Sequence, residues 1–295
     1  LMLGYGGWWK VDITANWDTR TRSYFGIYEI TTNHEKTATV LTHGTTMHGM
    51  QNLDPKLRLE PTTYYAPRSG VGEVMRAGTT LFGSHTRIGV VGLGTGTLAC
   101  YAVPGQQWSF FEIDPKMVEI ATRSRHFSFV PRCAPHARII LGDARLSLAR
   151  QPPGKLDILA LDAFSSDAVP MHLLTREAFA VYARALQPSG ILLVHISNRY
   201  IDLAPVVAAA AAAGGWRAVE LDYQPSDAEA QRLATASAWI AMSRDRATVA
   251  RMVAASGFEA FWQELEPRPG FAGWSDDYAT ILPLLRPEGL VPFGR

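Results

Sequence analysis

The residues best placed to do chemistry are acids that follow apolar runs: Glu112-Ile113-Asp114, Gly142-Asp143-Ala144, and Asp162 and Asp167 in Leu161-Asp162-Ala163-Phe164-Ser165-Ser166-Asp167. Ahead of them, Gly92-Leu93-Gly94-Thr95-Gly96-Thr97 follows the apolar run Ile88 to Val91. Glycines between a buried strand and a helix allow a tight turn and close approach of the backbone to a ligand, and the helix start offers free N–H groups. Alone, such a segment is also an ordinary strand-to-helix turn. Its companion gives it meaning, because an acid about 20 residues further on commonly holds the ribose hydroxyls of a nucleotide. Glu112 is assigned that role, since Asp114 stands directly before Pro115 and reads as a helix N-cap.

Asp143, with Ala144 beside it, stands where a carboxylate can accept a hydrogen bond from an adenine amino group, although a turn aspartate has the same sequence. Asp162 opens the loop after the fourth apolar run. A carboxylate there can hold an ammonium group, or take a proton from an amine so that its lone pair can attack. Asp167 reads first as the cap of the helix that follows. His43 and His48 lack a third ligand at metal-site spacing, so hydrogen bonding in a loop or to substrate is the simpler reading and no metal is expected. His195 reads as a satisfied interior or edge histidine.

The elements that must position these residues change in texture along the chain. Ser23 to Ile30 and Thr37 to Thr42 are aromatic and β-branched, split by the polar turn Asn33-His34-Glu35-Lys36. Residues 1–60 therefore read as a small β-rich domain. From Arg87 onward, apolar runs suited to buried parallel strands alternate with helical segments: strands at 88–91, 108–113, 137–141, 156–161 and 191–196, helices at 115–124, 175–186 and 202–213. Right-handed crossovers make this a doubly wound α/β sheet spanning residues 61–295. Trp216 to Leu221 and Ser237 to Met242 look like a closing hairpin, as in class I methyltransferase-like (Rossmann-like) sheets. That hairpin and the acid after the third strand favour a site for S-adenosylmethionine over one for a nicotinamide dinucleotide.

The chain has 295 residues, with 28 Lys and Arg against 27 Asp and Glu, a net charge of +1. A 47% hydrophobic content is ample for a core and excludes wholesale disorder. Near-neutrality argues against nucleic acid as a partner, and Arg123, Arg125, Arg132 and Arg138 read as solvated surface. The two cysteines, Cys100 and Cys133, form no metal or disulfide framework by spacing, so reduced thiols facing the cytosol are expected. The most apolar run, Val206 to Ala213, falls well short of the roughly 20 residues a membrane span needs.

Taken together, Pro61-Thr62-Thr63-Tyr64-Tyr65, the glycine segment, Glu112-Ile113-Asp114, Gly142-Asp143-Ala144 and the Asp162 loop resemble the spermidine synthase family, the polyamine aminopropyltransferases, from about Tyr24 to Leu285. The resemblance implies that a sulfonium nucleotide, decarboxylated S-adenosylmethionine or S-adenosylmethionine itself, sits on Gly92, Gly94 and Gly96 as co-substrate. It implies that Asp162 deprotonates the attacking amine, that Tyr64 aligns it, that Asp167 is a loose equivalent of the second loop aspartate, and that Gln51 lies near the nucleotide. Two departures stand out. Ala163-Phe164 lengthens the family's Asp-Ser-Ser/Thr-Asp loop, and Tyr65-Ala66 replaces the His-Glu or Gln-Glu that normally follows the tyrosine. The missing glutamate weakens a diamine pocket, for which His43, Glu60, Asp276 and Asp277 are the candidate substitutes.

His43-Gly44-Thr45-Thr46-Met47-His48-Gly49 and Ser275-Asp276-Asp277-Tyr278-Ala279 look like a divergent bacterial branch often joined to a multi-spanning membrane region. The resemblance thus implies a cytoplasmic portion of an inner-membrane protein, with Trp8 and Trp9 suited to a membrane boundary. Homodimers are common in the family. The expected function is transfer of an aminopropyl group to a small-molecule polyamine with release of methylthioadenosine. The alternatives are a lyase or methyltransferase acting on S-adenosylmethionine, or a non-catalytic domain that senses an adenosyl ligand.

Overall fold

The computed structural model describes residues 20–44, 46–163, 170–257 and 259–286. Trp8, Trp9 and Asp167 lie outside the described residues.

Among these residues, the β-rich opening forms an antiparallel meander of β1 (Arg20–Ser23), β2 (Gly26–Thr32), β3 (Ala38–His43) and β4 (Thr46–Asn52). The turn between β2 and β3 is closed by Asn33, whose side-chain oxygen accepts the Thr37 and Ala38 N–H groups. Asn favours such positions because its side chain imitates a backbone turn. Helix α1 (Gly70–Phe82) follows, capped by the Ser69 hydroxyl, which accepts the Gly72 N–H.

The larger sheet is built on β5 (Arg87–Val91), β6 (Gln107–Glu112), β7 (Arg138–Leu141), β8 (Leu156–Leu161) and β9 (Leu186–His195). These five are parallel, in the order β7-β6-β5-β8-β9. The hairpin of β10 (Arg217–Tyr223) and β11 (Ser237–Ser243) adds antiparallel beside β9, β11 inside β10, and the short β12 (Gln263–Glu264) pairs outside β10. The strand order reverses between β5 and β8. Ligands of open α/β sheets bind at such a switch point, at the carboxyl ends of the strands. Strand β9 starts five residues before the expected 191, so Pro188 and Gly190 lie within it; helix α5 (Arg176–Ala185) runs straight into the strand.

Alternation along the strands explains the two-sided core. Ile158, Ala160, Ile191, Leu193, Trp239 and Ala241 pack on the face of α1 and α7 (Arg246–Ser256), whereas Leu159, Leu161, Leu192, Val194, Ile240 and Met242 pack against α5 and α6 (Ala204–Ala213). The alanine-rich α6 buries Val206, Val207, Ala210 and Ala211 there. Leu159 and Leu193 are fully buried; truncation of such a leucine to alanine costs roughly 2–5 kcal/mol.

Two capping acids sit where the site begins. Asp114 caps α2 (Pro115–Arg123), with Pro115 in the first turn, and Asp143 caps α4 (Ala144–Ala149). Between them in sequence, Cys133 ends α3 (Phe129–Cys133) and is disulfide-bonded to Cys100 in the 3-10 turn Thr97–Tyr101. This corrects the expectation of reduced thiols. Two cysteines 33 residues apart carry no proximity signal in sequence, and the packing of the two short helices brings their Cα atoms to 4.8 Å, within the bonding range. Among the described residues no helix is long and apolar enough to cross a membrane.

Candidate active site

A cleft of about 400 Å³ lies over the carboxyl ends of β5, β6, β7, β8 and β9, with residues of β2, β3 and β4 forming its roof. That volume falls within the roughly 300–1,000 Å³ of small-ligand sites. Gly92, Gly94, Tyr64, Glu112, Asp143, Ala144 and Asp162 all line it.

One half is formed by the ends of β5, β6 and β7. Gly92 has φ +92°, and a Cβ there would run into the Asp162 carbonyl oxygen. Gly94, at φ +51°, passes under the His48 carbonyl. Only glycine meets both demands without strain. Gly96 stands apart: it caps the 3-10 turn in the left-handed conformation, packs against Val130, and is not among the cleft-lining residues. Glu112 is buried, and its two carboxylate oxygens accept the N–H groups of Leu93 and Asp114, each at 2.9 Å. Burial pushes its carboxyl upward against the pull of those donors. Each oxygen keeps a further lone pair for a ligand hydroxyl. Asp114 accepts from the Lys116 N–H and from the Tyr28 hydroxyl at 2.7 Å, so it is engaged as a cap and as a tie to the smaller sheet. Asp143 caps α4 through Leu146 and reaches His172 at 3.2 Å.

The other half is assembled across long stretches of chain. Asp162 follows β8, and its side chain is 6% exposed. Its Oδ2 accepts the hydroxyl of Tyr65, and its Oδ1 meets His195 Nδ1 at 2.7 Å. The tyrosine on the carboxylate is thus Tyr65. Tyr64 stacks on His195 with ring centroids 4.8 Å apart, and its hydroxyl points to the Met47 carbonyl at 3.5 Å. Thr63, at φ +57° and fully buried, is held by its N–H to the Leu233 carbonyl. A β-branched residue in this region is strained, and the strain sits at the turn that delivers both tyrosines to the cleft. Burial and the nearby Asp162 raise the hydroxyls of Tyr64 and Tyr65 well above the usual tyrosine range.

His43 and His48 stack at 5.7 Å beside Tyr28 in the roof. Burial, with His43 adding to it, lowers His48 to about 4. Among the described residues its buried Nε2 has no hydrogen-bond partner. Among the described residues no group of three or more His, Cys, Asp or Glu could hold a metal ion. Gln51 does not line the cleft: its amide bridges Ser128 and the Arg58 carbonyl, tying β4 to the start of α3. Glu60 pairs with Arg232 and Asp276 with Arg145, and neither lines the cleft; nor does Asp277. Sequence reasoning missed Tyr65, His195 and Trp239 as members of the site. The one available signal was Tyr65, visible as a departure from the family pattern.

No family model matches the chain. A polyamine aminopropyltransferase of Vibrio vulnificus is 34% identical over 114 residues, a match spanning 37% of the chain and 37% of that protein's length. In fold, a probable spermidine synthase from Corynebacterium glutamicum aligns with a TM-score of 0.60 at 18% identity, over 88% of this chain and 97% of that one. Spermidine synthase from Thermotoga maritima aligns at 0.56 with 13% identity, over 84% and 79%.

Proposed function

We propose that the chain, which shares a 114-residue stretch with a polyamine aminopropyltransferase and its fold with spermidine synthases, is an aminopropyltransferase-like enzyme. The glycine loop and Glu112 hold the adenosine ribose of decarboxylated S-adenosylmethionine, and Asp143 with Ala144 flanks the adenine. An amine nitrogen bonds to the methylene carbon beside the sulfonium. The carbon–sulfur bond breaks with its electron pair left on sulfur, giving methylthioadenosine, and the proton released from nitrogen goes to Asp162. Positioning supplies much of the rate and general-base help the rest. The observation that carries this reading is the buried Asp162 carboxylate in the same cleft as Gly92, Gly94 and Glu112.

A second reading keeps the nucleotide and changes the reaction. Among the described residues, Asp162 stands at the β8 end of the cleft while Glu112, Asp114 and Asp143 stand at the β6 and β7 ends. S-adenosylmethionine itself, cleaved without an acceptor or used as a methyl donor, would need no carboxylate beyond Asp162 for the distal ammonium of a diamine. Mass spectrometry of products from both sulfonium donors, with and without a panel of amines, tests both readings. Spermidine from decarboxylated donor and putrescine is the expected result. Its absence where a control enzyme works overturns the polyamine reading, and methylthioadenosine from S-adenosylmethionine alone identifies the lyase.

A further inference from the structure

We propose that His195 is a positioning residue for Asp162, fixing the carboxylate that accepts the proton; the inference rests on the assignment of Asp162 as base. His195 is the last residue of β9 and is 5% exposed. Its ring lies between two aromatic rings, Tyr64 at 4.8 Å and Trp239 at 4.4 Å, the latter nearly parallel at 12°. Trp239 is its partner in the β11–β9 register and donates its indole N–H to the Tyr64 carbonyl, so the stack is closed on itself. Packing alone does not call for an imidazole here, because a phenyl ring would fill the same slot without polar atoms to satisfy.

The hydrogen bonds show what the imidazole adds. An ionised carboxylate only accepts, so Nδ1, at 2.7 Å from Asp162 Oδ1, carries the proton. In the neutral ring Nε2 is then an acceptor, and its neighbour at 2.8 Å is the Ser197 hydroxyl. That hydroxyl oxygen accepts the Ala238 N–H at 2.8 Å, which leaves its own proton for Nε2. A backbone amide of the β11 strand thus holds the serine oxygen, the Asp162 carboxylate sets the ring tautomer, and the serine hydroxyl donates to the Nε2 that this tautomer leaves as an acceptor. With Tyr65 on the other oxygen, each oxygen of the carboxylate carries one donor and keeps a lone pair. Loss of a hydrogen bond to a charged group of this kind matters by about 10–100-fold in rate.

Serine, histidine and aspartate in this order also describe an acyl-transfer triad. Here Asp162, His195 and Ser197 all line the cleft, and what marks Ser197 is that its oxygen is held by the Ala238 N–H; the reactivity of its hydroxyl is one of the outcomes tested below. The structure therefore assigns Ser197 as an anchor.

The test compares wild type with His195→Phe, which keeps the stack, and His195→Asn, whose amide stands where Nδ1 stands. In aminopropyl transfer, His195→Phe should lower kcat about 10–100-fold with the donor KM within about twofold, and His195→Asn should recover about tenfold of that loss. Methylthioadenosine should bind all three proteins equally by calorimetry. Nitrogen-15 NMR of the wild-type histidines should show a neutral, Nδ1-protonated ring, assigned to His195 by its disappearance in the variants. An unchanged kcat in His195→Phe, no recovery in His195→Asn, an Nε2-protonated ring, or labelling of Ser197 by a fluorophosphonate would each overturn the proposal. Should wild type transfer nothing to any amine, the transferase reading fails, while the NMR result still decides the His195–Asp162 coupling.

Discussion

The two halves of the cleft are held by different kinds of tie. At the β6 and β7 ends each acid has a tie to a nearby amide, Asp143 to one three residues on and Asp114 and Glu112 to ones two residues on, beside longer ties from Glu112 to Leu93 and from Asp114 to Tyr28. At the β8 end the ties span long stretches of chain: 97 residues from Tyr65 to Asp162, 33 from Asp162 to His195, 175 from Tyr64 to Trp239. Local ties come with the strand-to-helix unit itself and tolerate drift elsewhere in the chain. The long ties exist only when the smaller sheet, the β9 end and the closing hairpin are all in place.

The sharpest way to separate the halves is Asp162→Asn. It should reduce kcat for amine-dependent transfer by about 10²–10⁴-fold while leaving methylthioadenosine affinity within about threefold, read by steady-state kinetics and calorimetry. Retained turnover would move the base elsewhere.

The disulfide tests the nucleotide half from behind. It joins the 3-10 turn that follows the glycine loop to the helix packed on Gly96. Closing a loop of 33 residues constrains the unfolded chain by roughly 3–4 kcal/mol. Replacing both Cys100 and Cys133 by serine should lower the urea midpoint accordingly and weaken methylthioadenosine binding. An unchanged affinity would show that the loop is fixed by Glu112 alone.

His48 ties the roof of the acceptor half to pH. Its ring titrates at about 4 when folded and near 6.5 when unfolded. Between these values the unfolded chain binds the extra proton, so this contribution to stability falls as pH drops from about 6.5 to about 4 and levels off below. The expected loss is about 2–3 kcal/mol. Urea unfolding from pH 7.5 to 4 should be less pH-sensitive in His48→Leu than in wild type; equal slopes would remove the buried neutral ring from the account.

The smallest effect expected is at Glu112→Gln. Both oxygens of Glu112 accept backbone N–H groups, and an amide turns one acceptor into a donor facing another donor. Methylthioadenosine affinity should fall about 10–100-fold, as for loss of a charge-assisted hydrogen bond, with kcat at saturation nearly unchanged. A loss in kcat alone would mean that the two halves cannot be separated as described.

What could be read without coordinates follows the same division. The strand ends, the glycine turn, the Asp114 cap, and Glu112, Asp143 and Asp162 as cleft carboxylates were visible because each is a contiguous pattern, an apolar run followed by a turn or cap residue. Gln51 shows the limit of a single matching residue: family resemblance put it near the nucleotide, yet its amide is engaged by Ser128 and Arg58.

The amino-acid sequence by itself determined a doubly wound sheet with acids along one edge, because strand periodicity and turn chemistry are local properties. Only the tertiary structure decided that Tyr65 and His195 are the groups on Asp162, that Trp239 and Ser197 hold the histidine, and that Cys100 meets Cys133. Those contacts are made between distant segments. Which residues meet depends on strand order and helix packing, and no spacing within any one segment carries that information.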